Sequence, residues 1–128
     1  MELMFKDVTD RILKSFFNTY KELGFGFSKD VYENAMLVEL NDLGAKSKVR
    51  QVIRVFYKEL QVGEYTADII VDDSVLLVIR AVETSSEQDE YQLINILKAT
   101  GIEVGMLLNF GKKPEFKRKV FMKRRPIV

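Results

Sequence analysis

The sequence predicts an α/β fold, with a mixed central sheet and helices on its faces. Residues 2–43 carry apolar side chains at helical spacing, with glycines at positions 24 and 26. Residues 46–83 instead alternate or run apolar and are rich in β-branched side chains, as strands are. A second helical pattern and a short apolar run, VGMLLNF, complete the chain. Helices and strands in this order pack in layers about a sheet.

The composition bounds both the organisation and the chemistry. A chain of 128 residues predicts one domain, residues 1–128. There is no cysteine and no histidine, which excludes disulfides, thiolate or imidazole zinc sites and Ser-His nucleophiles. The first ten residues are charged where a signal peptide would be apolar, and no apolar run approaches the ~20 residues of a membrane span. We therefore expect a cytoplasmic protein that does not enter a membrane.

The helical half predicts two helices joined by an elbow. The first covers about residues 2–23 and ends at Gly24-Phe25-Gly26. Ser28 is a suitable N-cap for the second helix, which should end at Gly44.

Three strands should follow as an antiparallel meander, over about residues 46–58, 62–72 and 74–83. A loop and cap at 84–86 begins the third helix, whose first turn holds the acids Glu87, Asp89 and Glu90, and which should end at Gly101. Residues 104–110 are apolar enough for a buried central or parallel strand. Residues 116–122 are Lys-rich, which is typical of an edge strand.

Asp68 is the most informative residue, because it lies between Ala67 and Ile69 in an apolar strand. A carboxylate in that position must be solvated, paired or metal-bound, since burying it unpaired is costly. On the next strand, Arg80 is the only charge before the strand ends. An acid, a turn and a cation in this order resemble the PD-(D/E)XK nuclease motif, in which two acids hold a divalent metal and a lysine assists. In that motif, Val78 occupies the position of the second acid and Arg80 occupies the position of the lysine.

Several further segments resemble the GxxExxY family of that superfamily, over roughly residues 8–120. They are KELGFGFSKDVYENAM, RQ at 50–51, YK at 57–58, GEYTADIIVDD, AVE at 81–83, and QLINILKATG followed by VGMLLNFG. The resemblance implies the nuclease core and places former-site residues at Lys29, Asp68, Val78, Arg80 and Gln92, with Tyr32 nearby. The family's motif glutamate is replaced by Lys29, and two histidines common in the family fall on Tyr20 and Asp89.

These replacements argue against a metal site. Mg²⁺ and Mn²⁺ prefer oxygen ligands, and here one expected carboxylate is a hydrocarbon and another an ammonium. We therefore expect Asp68 to pair with Lys29, Arg80 or both, in a catalytically degenerate protein to which no catalytic residue is assigned, which needs no cofactor and acts by binding. The alternative is a divergent Mg²⁺- or Mn²⁺-dependent nuclease, in which Asp68 is joined by Glu33 or Glu83.

The C-terminal segment 112–128 is strongly basic. It carries eight of the 20 basic residues and one of the 19 acidic residues, a net charge of +7 against −6 for the remainder. It either contacts nucleic acid or folds against the acidic body around Glu87, Asp89 and Glu90. The sequence leaves a nucleic-acid partner, a protein partner and a homo-oligomer all open. The basic residues concerned are Lys112, Lys113, Lys117, Arg118, Lys119, Lys123, Arg124 and Arg125.

Overall fold

A computed structural model describes residues 5–122 and contains three helices and five strands in that range. In chain order they are α1 (Lys6–Leu23), α2 (Lys29–Asp42), β1 (Ser47–Tyr57), β2 (Leu60–Val71), β3 (Val75–Arg80), α3 (Glu87–Thr100), β4 (Val104–Phe110) and β5 (Pro114–Val120). The order agrees with the sequence-based expectation. The main difference is β3, which ends at Arg80 rather than near residue 83.

The five strands form one mixed sheet in the order β1-β2-β3-β4-β5. The first three strands are antiparallel neighbours, because tight turns join them. β4 is parallel to β3, and α3 provides the crossover that a parallel connection requires. β5 returns antiparallel to β4 and lies at the edge of the sheet. The predicted meander and the predicted parallel strand are both confirmed.

Helices cover both faces of the sheet and divide the core in two. On one face, α1 and α2 bury side chains such as Phe16 and Met36 against odd-numbered residues of β2 and β3 and even-numbered residues of β4. On the other face, α3 buries Leu93, Ile96 and Leu97. The apolar alternation of the strands therefore positions one helical layer on each side.

A glycine in β4 lets α3 approach the sheet closely. A Cβ atom at Gly105 would lie 2.7 Å from Leu93 Cδ1 and 3.1 Å from Leu97 Cδ2. A larger residue there would require the two leucine side chains or α3 itself to shift. Gly105 thereby allows close packing of the helix that carries Gln92 and Asp89.

The outer half of the β1–β2 hairpin projects beyond the rest of the sheet. β2 pairs with β3 only over Ile69–Val71, so the preceding residues of β2 pair with β1 alone. Several large apolar side chains on this ribbon are exposed, among them Phe56, Tyr57, Leu60 and Val62. Within residues 5–122, none of the helices is both long enough and apolar enough to span a membrane.

Candidate functional site

The site lies where β2 and β3 separate. Their last ladder pair on this side is Ile69↔Leu77, and Asp68 directly precedes Ile69 in β2. Beyond that pair, the Asp68 side chain links the two strands, because its Oδ2 accepts a hydrogen bond of 2.7 Å from the backbone N–H of Ile79. This bond supplies a buried backbone donor with an acceptor beyond the end of the β2–β3 ladder. Asp68 is therefore fixed to the neighbouring strand as well as its own.

The glycine elbow and Tyr32 position the start of α2 over this gap. The Tyr32 hydroxyl donates a hydrogen bond to the carbonyl of Gly24 and accepts one of 3.2 Å from the backbone N–H of Phe27. The Tyr32 ring is fully buried and stacks on Phe110 of β4, with centroids 4.2 Å apart. Tyr32 thus anchors the elbow to the sheet. Ser28 is the N-cap residue as expected, although its hydroxyl makes no capping hydrogen bond.

Four charged residues from α2, β1 and β2 meet here; we call Lys29, Glu33, Arg50 and Asp68 the Asp68 cluster. Lys29 Nζ lies 2.9 Å from Asp68 Oδ1 and 3.7 Å from Glu33 Oε1. Arg50 donates a hydrogen bond of 3.1 Å to Glu33 Oε2. The two carboxylate side chains are each only 6% exposed, whereas Lys29 is 38% exposed and Arg50 59%. Two buried acids are thus neutralised by two cations that reach in from the solvent side.

The pKa of Glu33 is raised above its ordinary value. Burial of the carboxyl group is the main cause, and the negative charge of Asp68 adds to it. The Lys29 ammonium acts in the opposite direction, as does Arg50 to a smaller extent. Glu33 therefore takes up a proton at a higher pH than an ordinary glutamate does.

Of the two partners expected for Asp68, the structure pairs it with Lys29, whereas Arg80 pairs with Asp89. The Arg80 Nε donates a hydrogen bond of 2.9 Å to Asp89 Oδ1, and its Nη2 donates one of 3.2 Å to Gln92 Oε1. We call Arg80, Asp89 and Gln92 the Arg80 cluster. Both acceptors lie in the first turns of α3, which closely follows β3 in the chain. Arg80 therefore pairs with Asp89, an acid that is near to it in sequence.

Asp89 is held in place by a helix cap. Its Oδ2 accepts a hydrogen bond of 3.0 Å from the backbone N–H of Ser86, and the Ser86 hydroxyl accepts one of 3.3 Å from the backbone N–H of Asp89. This reciprocal arrangement is a capping box. Burial raises the pKa of Asp89, but hydrogen bonds from Ser86 and Arg80 outweigh burial and leave the pKa below its ordinary value.

The remaining side chains do not fit a divalent metal. Val78, at the position of the second acid, is 1% exposed and lies in the apolar core beneath α3. Both oxygens of Asp68 already have partners, one of them an ammonium. Within residues 5–122, no three acidic side chains converge as a metal site requires. Asp68 is therefore already bound to an ammonium, and the Val78 side chain offers no oxygen ligand.

Of the two acids proposed for an active variant, only Glu33 reaches the cleft. The cleft has a volume of about 480 Å³ and is lined by Lys29, Asp30, Glu33, Arg50, Glu64, Tyr65, Thr66, Asp68, Arg80 and Gln92. Glu83 lies beyond the end of β3 and instead pairs with Lys112 at 2.7 Å, both side chains being 66% exposed. Glu83 is thus not in position to join Asp68, because the strand ends before reaching it.

The basic segment folds partly against the body of the protein. Lys119 of β5 lies 2.8 Å from Glu90 of α3 and lowers the pKa of that carboxyl group. Lys112 is occupied by Glu83. Asp89, expected to contact the basic segment, binds Arg80 instead. The expected bases Lys123, Arg124 and Arg125 lie outside the described residues.

Sequence reasoning missed two members of these clusters. In the sequence, Arg50 stands out only as part of a matching segment. In the β1–β2 register it lies between the pairs Val49↔Ile69 and Gln51↔Ala67, which places it across from Asp68. Asp89 was assigned to the helix dipole rather than to Arg80. Its place three residues after Ser86 is the spacing of a capping box, and that spacing was the available signal.

Comparison with known proteins agrees with this architecture. No curated protein sequence matches the chain. The crystal structure of SSO0001 matches with a TM-score of 0.57 and 14% sequence identity, over 75% of this chain and 52% of the other, which shows a shared fold. The chain thus spans about half the length of that protein. The family model of the PD-(D/E)XK nuclease superfamily matches residues 6–119. With that match over most of its length, the chain belongs to the PD-(D/E)XK nuclease superfamily.

Proposed function

We propose that the chain is a catalytically degenerate member of this superfamily, of the GxxExxY type, that acts by binding a partner rather than by cleaving nucleic acid. The contact of 2.9 Å between Lys29 Nζ and Asp68 Oδ1 carries the proposal. An ammonium bound to the first acid of the motif repels a divalent cation, and without that cation no Lewis acid activates water at the phosphate. The buried hydrocarbon at Val78 supports the same conclusion.

A metal titration combined with a cleavage assay tests this proposal. The full chain should give no saturable heat with Mn²⁺ and should not nick supercoiled plasmid or cut single-stranded RNA in Mg²⁺ or Mn²⁺. The matched control is Asp68→Asn, purified in parallel, which keeps an oxygen for the Ile79 N–H but loses the charge. Any background activity should be equal in the two preparations. Metal-dependent nicking that is present in the wild type and lost in Asp68→Asn contradicts the proposal.

One observation favours a second candidate, a divergent metal-dependent nuclease. Glu33 is buried beside Asp68 and approaches the same Lys29 ammonium, so a second carboxylate has reached the cleft from α2. In this case the same assays should show activity that Glu33→Gln and Asp68→Asn both abolish. Activity lost only in Asp68→Asn would still favour a nuclease, but with different metal ligands.

Nucleic-acid binding through the basic segment is the less favoured form of the binding function. Lys112 and Lys119 are neutralised by Glu83 and Glu90, which leaves less charge for phosphates. Fluorescence anisotropy of a labelled duplex at two salt concentrations, in EDTA, measures what remains. Neutralising Lys123, Arg124 and Arg125 together should leave affinity at background. If those bases do bind phosphates, the change should reduce the slope of log affinity against log salt by up to ~0.9 per lost contact.

A further inference from the structure

The sheet has two edge strands, β1 and β5, and only β5 suits the addition of another strand. In the described part of the chain, no further strand pairs with the outer side of either. β1 is irregular, because Arg50 has a positive φ of 46° and the register with β2 shifts before the turn. Irregularities of this kind obstruct pairing at a sheet edge. β5 pairs with β4 without interruption over residues 114–120, so its outer side is regular.

A row of aromatic rings leads from the core to the surface of β5. The ring centroid of Phe16 lies 4.8 Å from that of Phe110 and 5.1 Å from that of Phe17. Phe17 in turn contacts Phe116 of β5 edge to face, with centroids 6.1 Å apart. Phe16 and Phe110 are fully buried, whereas Phe17 and Phe116 are each 43% exposed. The row therefore ends in a partly exposed aromatic surface at the open edge of the sheet.

The charges of β5 are self-complementary. When two copies of a strand pair antiparallel, residues on either side of the twofold axis lie opposite each other. An axis at Phe116 therefore places Glu115 of each copy opposite Lys117 of the other, and opposite charges that face across strands are stabilising. An axis one or two residues later instead opposes two lysines. Lys119 contributes less repulsion than its charge suggests, because it lies 2.8 Å from Glu90.

β1 offers no comparable match to a second copy of itself. All charged side chains between residues 47 and 57 are basic, so no register of β1 with itself opposes unlike charges. Its exposed aromatic side chains lie near the hairpin turn, where the register with β2 shifts. The edge that is regular, aromatic and self-complementary in charge is therefore β5.

We propose that two copies of the chain form a symmetric dimer through the outer side of β5, with the twofold axis at Phe116, so that the two five-stranded sheets become one continuous sheet. Backbone hydrogen bonds join the two edges, as in other cases of strand addition. The two Phe116 rings cover each other and extend the aromatic row into the second copy. The inference goes beyond the proposed function and does not depend on it, because β3 and β4 separate β5 from the strands of the Asp68 cluster.

Charge reversal at the edge tests the dimer by sedimentation equilibrium over a range of protein concentrations. The wild type should dimerise. Glu115→Lys and Lys117→Glu each place like charges in both symmetry-related pairs and should each raise the dimer dissociation constant by at least about tenfold. The double variant Glu115→Lys/Lys117→Glu restores opposite charges and should dimerise again. The control, Lys58→Glu, makes the same change of charge in the turn of the β1–β2 hairpin and should leave dimerisation unchanged.

The double variant also separates the dimer from the fold of one chain. Glu115 accepts a hydrogen bond of 3.2 Å from Asn109, and its replacement removes that bond in the single and the double variant alike. Recovered dimerisation in the double variant therefore comes from the charges. Mixing Glu115→Lys with Lys117→Glu gives a second check, because each chain repels itself and attracts the other. They should form a mixed dimer in preference to a dimer of either chain alone.

Cysteine cross-linking tests the register, since the chain contains no cysteine of its own. Residues directly opposite in an antiparallel pair have Cα atoms about 4.5–5.5 Å apart, which a disulfide can bridge. Phe116→Cys should therefore form a disulfide-linked dimer on mild oxidation, whereas Lys117→Cys alone should not. Chains carrying Glu115→Cys and Lys117→Cys should cross-link to each other when mixed. This mixture retains the Phe116 ring and serves if Phe116→Cys does not fold.

The inference fails if the wild type stays monomeric at every concentration, which leaves the β5 edge to a strand of a different protein. A dimer that is insensitive to both charge reversals, or that the double variant does not restore, uses another surface and also overturns it. Cross-linking that is strongest at Val52→Cys assigns the dimer to β1, and cross-linking that is strongest at Lys117→Cys alone places the axis elsewhere. Either result contradicts the proposed pairing.

Discussion

The Asp68 cluster and the Arg80 cluster lie in the same cleft, and they differ in how deeply their acidic side chains are buried. In the Asp68 cluster both carboxylates are 6% exposed and their cations are 38% and 59% exposed. In the Arg80 cluster the partners are exposed alike, Arg80 at 20% and Asp89 at 17%. The first cluster is a buried negative pair with cations added from outside, whereas the second is a partly exposed ion pair at a helix start.

This difference indicates how each cluster balances its charge. The buried Asp68 carboxylate needs a counter-charge, and Lys29 supplies one from α2. Arg80 pairs instead with Asp89 on α3. Stability should therefore depend more on the Asp68 cluster than on the Arg80 cluster.

Asp68→Ala should produce the largest effect and thereby test the ranking of the two clusters. The change leaves the buried Ile79 N–H without its acceptor and leaves Lys29 with only the longer contact to Glu33. We expect the free energy of unfolding to fall by about 3–5 kcal/mol, as for a broken buried pair. Urea unfolding measures it. Asp68→Asn, which keeps an acceptor for Ile79, should lose clearly less, and an unchanged midpoint in Asp68→Ala would remove the basis of the comparison.

Asp89→Ala should have a smaller effect, about 1–2 kcal/mol. The change removes the capping acceptor of the Ser86 N–H and the partner of Arg80, but Arg80 keeps Gln92 and access to solvent. The control is Ser86→Ala, which removes the hydroxyl half of the cap and preserves the Arg80 pair. A loss in Asp89→Ala as large as in Asp68→Ala would show that the two clusters are equivalent.

The contribution of Glu33 to the pH dependence of stability should be opposite in sign to that of Asp89. The folded pKa of Glu33 is raised, so as pH falls towards its unfolded pKa of about 4.3 the folded protein takes up the proton first and gains stability. The folded pKa of Asp89 is lowered, so its stabilisation is present above its unfolded pKa of about 3.9 and is lost as pH falls through the folded value.

Urea unfolding from pH 7 to pH 3 should reveal both slopes when each variant is subtracted from the wild type. The stability of the wild type relative to Glu33→Gln should increase on acidification above about pH 4.3, and relative to Asp89→Asn it should decrease below about pH 3.9. Equal slopes of one sign would mean that burial does not distinguish the two acids.

The fold could be predicted from the sequence because its signals are local. The glycines at 24 and 26, the change from helical to alternating periodicity at residue 46, and the apolar run at 104–110 each specify one element. The end of β3 at Arg80 was missed, because residues 81–83 remain apolar or charged without a glycine or proline to mark the boundary.

The site could be predicted only in part, because pairing depends on distances between elements. Lys29, Arg80 or both were expected to pair with Asp68, and Lys29 does so, since the fold brings the start of α2 over β2. Arg80 pairs with Asp89 instead, because the loop after β3 brings that acid within reach. The local sequence identifies the residues that can form ion pairs, whereas tertiary packing determines which acid each cation binds.

Glu83→Gln should have the smallest effect and defines the lower end of the scale. Its ion pair with Lys112 is short, at 2.7 Å, but both side chains are 66% exposed, and exposed pairs contribute only ~0–1 kcal/mol because water and salt screen them. We expect an unfolding midpoint within error of the wild type at 0.15 M salt, and a matching result for Lys112→Gln. A midpoint lowered as much as in Asp89→Ala would mean that exposure does not set the scale of these ion pairs.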